Sequence, residues 1–168
     1  RDRGNAEVQV AKSPDGKTYA YQAGWKGFHI IDVTDPTNTT VMAWYNDPYT
    51  QVLDVKYLQY NGREYIVCQN QIVDTGQSDP NVGEWDDPAQ VSVNLVDVTD
   101  KTDPQWLDSW YDSDHPTGPH NLYTYMIRNE WYIFVANPDY DASDNECVPG
   151  SGDCLLYTSP SPRDDELS

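Results

Sequence analysis

Two stretches of the chain concentrate side chains that could hold a cation. Residues 139–146 read Asp-Tyr-Asp-Ala-Ser-Asp-Asn-Glu. Asp139, Asp141, Asp144 and Glu146 offer closely spaced carboxylates, which suit Ca²⁺ because it takes six to eight oxygen ligands. The spacing is not that of an EF-hand loop, since the Gly and the distant bidentate Glu are misplaced. A solvated acidic loop in an acidic protein accounts for the same residues. The second stretch, residues 112–121, reads Asp-Ser-Asp-His-Pro-Thr-Gly-Pro-His-Asn. His115 and His120, with Asp112 and Asp114 beside them, form a set able to bind a transition metal. In the competing reading His120 hydrogen-bonds a neighbouring strand and the prolines shape a turn. A third feature is the pair Asp32 and Asp97, each set among apolar strand residues. Their recurrence in the same local sequence favours a structural role, accepting backbone N–H groups of the turn that follows. Trp85, followed by Asp86 and Asp87, is the aromatic best placed in a polar stretch to contact a partner. The chain has no nucleophile elbow, phosphate-cradling Gly loop, CxxC pair or HExxH motif, and no residue is assigned a catalytic role.

Charge narrows the partners. The formal net charge is −18 over 168 residues and the pI is about 4.1. Nucleic acid and anionic membrane would be repelled, whereas cations, basic partners or a salty medium fit. Asp outnumbers Glu by 22 to 6, and the short Asp side chain favours turns and hard-cation sites. Adaptation to salt explains this acidity as well as cation binding does. Most of the thirteen Tyr and six Trp fall within strand-like runs, which argues against disorder. No stretch reaches transmembrane length. The chain opens Arg1-Asp2-Arg3 without Met, so the lack of a visible signal peptide there carries no weight.

Residues 154–164, Cys-Leu-Leu-Tyr-Thr-Ser-Pro-Ser-Pro-Arg-Asp, match a translated transposase-type sequencing adapter over eleven consecutive positions. Residues 154–168 are therefore expected to be a non-native tail, with the natural chain continuing differently beyond about Asp153. The tail carries one Arg and three acids, so −16 of the charge remains on residues 1–153. Setting Cys154 aside leaves Cys68, in an apolar strand and expected to be a buried small hydrophobe, and Cys147, whose pairing is open.

The elements that would position these residues are strands. Residues 6–11, 17–23, 27–33 and 41–45 read as strands separated by turn residues such as Ser13-Pro14-Asp15-Gly16. The order then recurs at 52–58, 64–69, 91–98 and 105–111, and Trp44-Tyr45 is read as returning in Trp110-Tyr111, both tryptophans packing between sheets. A third unit opens with 121–127 and 130–136. Such four-strand units are the signature of a β-propeller. The expected fold is all-β, a partial propeller of four-stranded antiparallel blades: two full blades plus part of a third. Blade 1 covers 6–46, blade 2 covers 52–111 with an acidic insertion at 70–89, and a partial third covers 120–153.

Ile30-Ile31-Asp32-Val33-Thr34-Asp35-Pro36 and Leu95-Val96-Asp97-Val98-Thr99-Asp100 resemble the motif of the LVIVD-repeat family. The second copy departs at Lys101, where the pattern has Pro. The resemblance implies a propeller, exported or held at the cell surface as is common for such proteins in bacteria and archaea. It implies no single activity.

In a propeller with this strand order, the loops joining second to third strands open on the same face as the links between blades. The acidic segments 70–89 and 137–153 and the links between blades at 46–50 and 112–119 gather there. The expected function is non-catalytic: a secreted or cell-surface propeller that binds a protein partner or cations, calcium foremost, through acidic loops that include Trp85, Asp86, Asp87, Asp112 and Asp114. The alternative is a metal-dependent propeller enzyme, oxidase- or lactonase-like, with a His-containing site at the channel mouth.

Overall fold

The computed structural model describes residues 6–71, 92–110, 119–136, 140–141, 146–147 and 154–158. They form strands and tight turns, with no helix among them. The strands are β1 (Val8–Lys12), β2 (Thr18–Asp32), β3 (Thr40–Tyr60), β4 (Arg63–Gln71), β5 (Val93–Asp97), β6 (Gln105–Trp110), β7 (Asn121–Ile127), β8 (Glu130–Ala136), β9 (Tyr140–Asp141), β10 (Glu146–Cys147) and β11 (Cys154–Thr158).

Two elements serve more than one position. The first half of β2 pairs with β1, Val8 facing Gln22 and Lys12 facing Thr18. Its second half pairs with the start of β3, Gly27 facing Asn46 and Asp32 facing Thr40. Between the halves the backbone doubles back, because the Val33 N–H donates to the Thr18 carbonyl at 2.9 Å. The reversal uses Lys26 and Gly27, both at positive φ, 67° and 136°. Only Gly fits the second position: a Cβ there would lie 1.8 Å from the Tyr45 carbonyl oxygen. The later part of β3 leaves β2 and pairs with β4, from Gln51 facing Gln71 to Tyr60 facing Arg63. Blade 1 is thus β1, the two halves of β2 and the start of β3. Blade 2 is the end of β3 with β4, β5 and β6. The third sheet is β7, β8 and β11, Cys154 pairing with Ala136 and Thr158 with Tyr132. The segment expected to be a non-native tail therefore supplies this sheet's third strand.

Blades pack face to face. One buried cluster joins Tyr19, Tyr21, Phe28 and Ile30 of blade 1 to Val55, Ile66, Cys68, Val96 and Val98 of blade 2. A second joins Leu58, Val67 and Val93 of blade 2 to Leu122 and Val135 of the third sheet. Central β5 is buried on both faces, whereas β1 alternates exposed and half-buried residues. A strand covered on both faces buries nearly every side chain, so its polar residues, Asn94 and Asp97, are held by hydrogen bonds to Ser109 and Thr99.

Blades 1 and 2 repeat one set of hydrogen bonds. The Asp32 carboxylate accepts the Thr34 N–H at 3.0 Å, as Asp97 accepts that of Thr99 at 2.8 Å. The Thr34 hydroxyl accepts the Thr18 N–H at 3.0 Å, as Thr99 accepts that of Glu64 at 3.0 Å. Asp35 and Asp100 cap the next turn through Thr37 and Thr102. Lys17 pairs with Asp32 and Arg63 with Asp97. The Thr34 hydroxyl and N–H, with Lys17, hold the Asp32 carboxyl down to about 2. The structural reading of Asp32 and Asp97 holds.

One register reading is corrected. Both blades carry a bulge at the same place, between Ile30 and Ile31 and between Leu95 and Val96. With the bulges aligned, Phe28 faces Tyr45 and Val93 faces Trp110. The counterpart of Trp110 is Tyr45, and that of Trp44 is Ser109. A one-residue slip turns a strand residue to the opposite face. Trp110 accordingly packs against the second cluster, while Trp44 is half exposed and stacks on His29 with centroids 5.8 Å apart.

The departure at Lys101 has a physical reason. Its ammonium is buried and bonds the Glu64 carboxylate at 2.6 Å and the Val98 carbonyl at 2.7 Å. Glu64 also accepts the Tyr57 hydroxyl at 2.6 Å and, from blade 1, the Ser13 hydroxyl at 2.9 Å. The blade 1 counterparts are Thr18 and Pro36, neither ionisable, so the two changes belong together. Lys101→Met is expected to cost about 3 kcal/mol in urea unfolding by leaving Glu64 buried without its cation. Adding Glu64→Gln should recover at least half of that loss, and additive losses would contradict the pairing.

Candidate functional site

The blades have two unlike ends. At one end lie the short turns, residues 13–17, 33–39, 61–62, 98–104 and 128–129. At the other, the register gathers Gln51 with Gln71, Gln69 with Val93, Val93 with Trp110, and Asn121 with Ala136. The Asn70 N–H donates to the Ser92 carbonyl there at 2.8 Å. Three long connections, residues 72–91, 111–118 and 137–153, therefore begin and end at this second end. They hold twelve of the 28 acidic residues and none of the ten Lys and Arg. Of the seven Lys and Arg among the described residues, five (Lys12, Lys17, Arg63, Lys101 and Arg128) lie at the short-turn end. The acidic connections are thus not neutralised from within.

Beneath them, at the start of the innermost strands, is a row that the repeat generates. Matching Thr18 to Glu64 makes Ala23 the counterpart of Gln69. Opposite these two lie Glu7, whose carbonyl accepts the Ala23 N–H at 2.8 Å, and Asp54. The turns Asn61-Gly62 and Arg128-Asn129, all at positive φ, align the third sheet and put Asn121 in the same position. Glu7, Asp54 and Asn121 are equivalent residues of three successive inner strands.

Asp54 joins all three sheets and is 1% exposed. It accepts the Leu122 N–H at 2.7 Å and the Lys56 ammonium at 2.5 Å, and Lys56 reaches on to Glu7 at 2.8 Å. Opposite Asp54, the Gln69 amide donates to the His120 carbonyl at 2.9 Å. Asp54 and Gln69 thus stand in for a strand partner at the start of β7. Burial, then the hydrogen bond to Glu7, pushes the Asp54 carboxyl up to about 6, and that same bond holds Glu7 low. Below about pH 6 the pair keeps a proton, on Asp54, which is how close carboxyl groups avoid double ionisation. Such a pair beside an ammonium can exchange a proton near neutral pH or anchor the inner strands.

The expected metal and binding residues are only partly placed. His120 is exposed at the start of β7, its N–H bonding the Ala136 carbonyl at 2.8 Å. Asp141 and Glu146 are backbone partners in the β9–β10 pair. Trp85, Asp86, Asp87, Asp112, Asp114, His115, Asp139 and Asp144 lie outside the described residues. Among the described residues no three His, Cys, Asp or Glu side chains converge as a metal set, and no helix is long and apolar enough to cross a membrane. The sequence reading missed Glu7, Asp54 and Lys56 as a unit. Counting back seven residues from the turns that open at Pro14 and Asn61 would have aligned the first two.

No protein-family model matches the chain, and no curated protein does. Among solved structures, the chain is similar to Bacteroides ovatus Xyloglucan PUL GH43B, a β-propeller, with a TM-score of 0.55 and 10% identity. The match covers 94% of this chain and 31% of that one, so the chain spans about a third of its neighbour's length. At this identity the likeness shows the fold alone: the first two sheets are four-stranded antiparallel blades of a β-propeller, and the third has three strands.

Asp54 makes stability depend on pH. Its folded value near 6 exceeds the ordinary 3.8, so between these the folded chain holds a proton that the unfolded chain has lost. The contribution is complete below about pH 4 and is lost as pH rises through 6. Glu7, held low, acts in the opposite sense at and below its ordinary 4.5. Unfolding free energies of wild type and Asp54→Asn at pH 4.5 to 7.5 should show the wild type losing stability up to about pH 6.5 and the variant much flatter. Parallel curves would contradict the proton on Asp54.

Proposed function

We propose that this chain is an LVIVD-type β-propeller, secreted or held at the cell surface, that binds a protein partner or cations through the acidic connections at one end of its blades without catalysing a reaction. One observation carries the reading. Three connections rich in carboxylates and lacking Lys and Arg depart from the same end. The field of such an end attracts cations and basic surfaces and falls with ionic strength. The other end has its acids engaged in caps and ion pairs, which leaves them less able to serve a ligand.

Calcium is the first cation to test. Titration calorimetry of the intact protein is expected to give a saturable signal with a dissociation constant of about 0.1–1 mM, the range of extracellular Ca²⁺ modules. The combined substitution Asp139→Asn, Asp141→Asn and Asp144→Asn should weaken it at least about tenfold, while Asp35→Asn at the short-turn end should leave it unchanged. No heat at millimolar Ca²⁺ would remove the calcium reading.

A second reading makes the same end catalytic, a metal-dependent enzyme working through His120 and His115. The exposed position of His120, directly before the equivalent row of Glu7, Asp54 and Asn121, favours it. Zn²⁺ or Mn²⁺ binding that His115→Ala and His120→Ala each abolish would support this reading over the first.

A further inference from the structure

One hydrogen-bonded knot ties together the roots of the three acidic connections. The Gln69 amide, two residues short of the connection 72–91, donates to the His120 carbonyl at 2.9 Å. His120 lies one residue past the connection 111–118, and its N–H donates at 2.8 Å to the carbonyl of Ala136, where the connection 137–153 begins. Directly opposite Gln69 in the register stands Asp54, which accepts the Leu122 N–H at 2.7 Å. Gln69 and Asp54 thus grip the start of β7 side by side, and the departure points of all three connections are fastened to one place.

Asp54 is the buried ionisable member of this knot. β1 brings Glu7 to it, its own strand brings Lys56, and β7 brings His120, whose side chain is exposed. β4, opposite, contributes the neutral Gln69. While Asp54 keeps its proton, Glu7 and Lys56 are a balanced pair of charges. Once the proton leaves, two carboxylates face one ammonium, and the surplus negative charge sits on a side chain 2% exposed. A charge so buried is weakly screened and responds to ions bound nearby. The connections rooted here add twelve acidic residues and no Lys or Arg. Like charges favour the protonated carboxyl, and a cation held among them favours the ionised one.

We infer that cation binding at the acidic end is linked to a proton on Asp54: a divalent cation taken up by the connections expels that proton to solvent, and the Leu122 N–H and the Lys56 ammonium hold the carboxylate that remains. The inference rests on the reading of this end as the cation-binding end. Asp54 acts here as a regulating and positioning residue beneath the cation. Linkage of this kind is reciprocal. The cation lowers the pH at which Asp54 ionises, and a rise in pH tightens the cation. Asp54 ionises near pH 6, so the change falls between mildly acidic and neutral medium.

Calcium is the probe that tests this. Calorimetry of the intact protein from about pH 5 to 7, in buffers of different ionisation enthalpy, gives the dissociation constant and the protons released. Asp54→Asn is the comparison, since asparagine keeps an oxygen for the Leu122 N–H and has no proton to lose. The wild type should release about 0.3–0.5 proton more per ion near pH 6 than the variant, and its affinity should rise about threefold to tenfold more across the range. This is the size of effect for a divalent charge about 10–15 Å away through a partly screened medium. Equal release and equal pH dependence in the two proteins, with calcium still bound, would overturn the inference while leaving the end a cation site. No calcium binding at any pH would overturn that reading and the inference with it. Histidine ionises in the same window, so the excess release must persist on a background carrying His115→Gln and His120→Gln; its loss there would assign the proton to histidine and overturn the inference. Carbon-13 NMR of the assigned Asp54 side-chain carboxyl gives a reading without substitutions. Its midpoint should lie near pH 6 without calcium and about half a pH unit or more lower with saturating calcium, and an unmoved midpoint would overturn the inference.

Discussion

A four-stranded blade has two faces and no interior. Its strands satisfy one another's backbone groups, but its side chains can leave water only by meeting the next blade. Both buried clusters follow from this, since each takes residues from two sheets. The same constraint explains why β5 is buried at almost every position, Asn94 and Asp97 included, while β1 alternates. It also accounts for the buried polar groups between sheets. Glu64 with Lys101 at one joint, and Asp54 with Gln69 at the other, each find partners across the gap and hold the stacking in register. A polar group in such a place costs stability unless it is bonded, and these four bond residues of the adjoining sheet or one another.

The ends of the blades divide the work. At the short-turn end, Asp and Thr at matched positions tie the third strand to the second, and basic side chains complete the pairing. With the turn fixed there, chain can be added at the opposite end without disturbing the sheet. Blade 2 shows this directly. Its second strand follows that of blade 1 by 46 residues and its third by 65, so about 19 residues have been inserted where β4 ends while every cap at the other end is kept. The acidic character of those additions then becomes the property of one end rather than of the whole surface.

Much of this was legible in the residues. The strands follow from alternating apolar runs between Gly, Asn and Pro, and the repeat follows from the Asp-Val-Thr-Asp copies at 32–35 and 97–100. The structural role of Asp32 and Asp97 could be read from their recurrence alone. The slip at Trp44 shows the limit. A bulge is invisible in composition, and aligning by residue type moved Trp44 to the wrong face. Glu7, Asp54 and Asn121 share a position but not a residue type, so they form no motif. Lys101 and Glu64 lie 37 residues apart, and only the registers bring them together. The expected cation ligands Asp139 and Asp144 and the expected contact residue Trp85 belong to connections, where no periodic pattern constrains the chain.

The central claim is that ligand binding belongs to the end carrying the acidic connections and that the short-turn end is structural. Hydrogen–deuterium exchange with and without Ca²⁺, or with and without a basic protein partner once one is found, tests it most directly. The account predicts added protection in peptides covering residues 51–54, 69–92, 110–121 and 136–153, with none in 12–18, 33–39, 60–63 or 98–104. Protection centred on the short turns, where Asp32, Asp35, Asp97 and Asp100 lie, would contradict it.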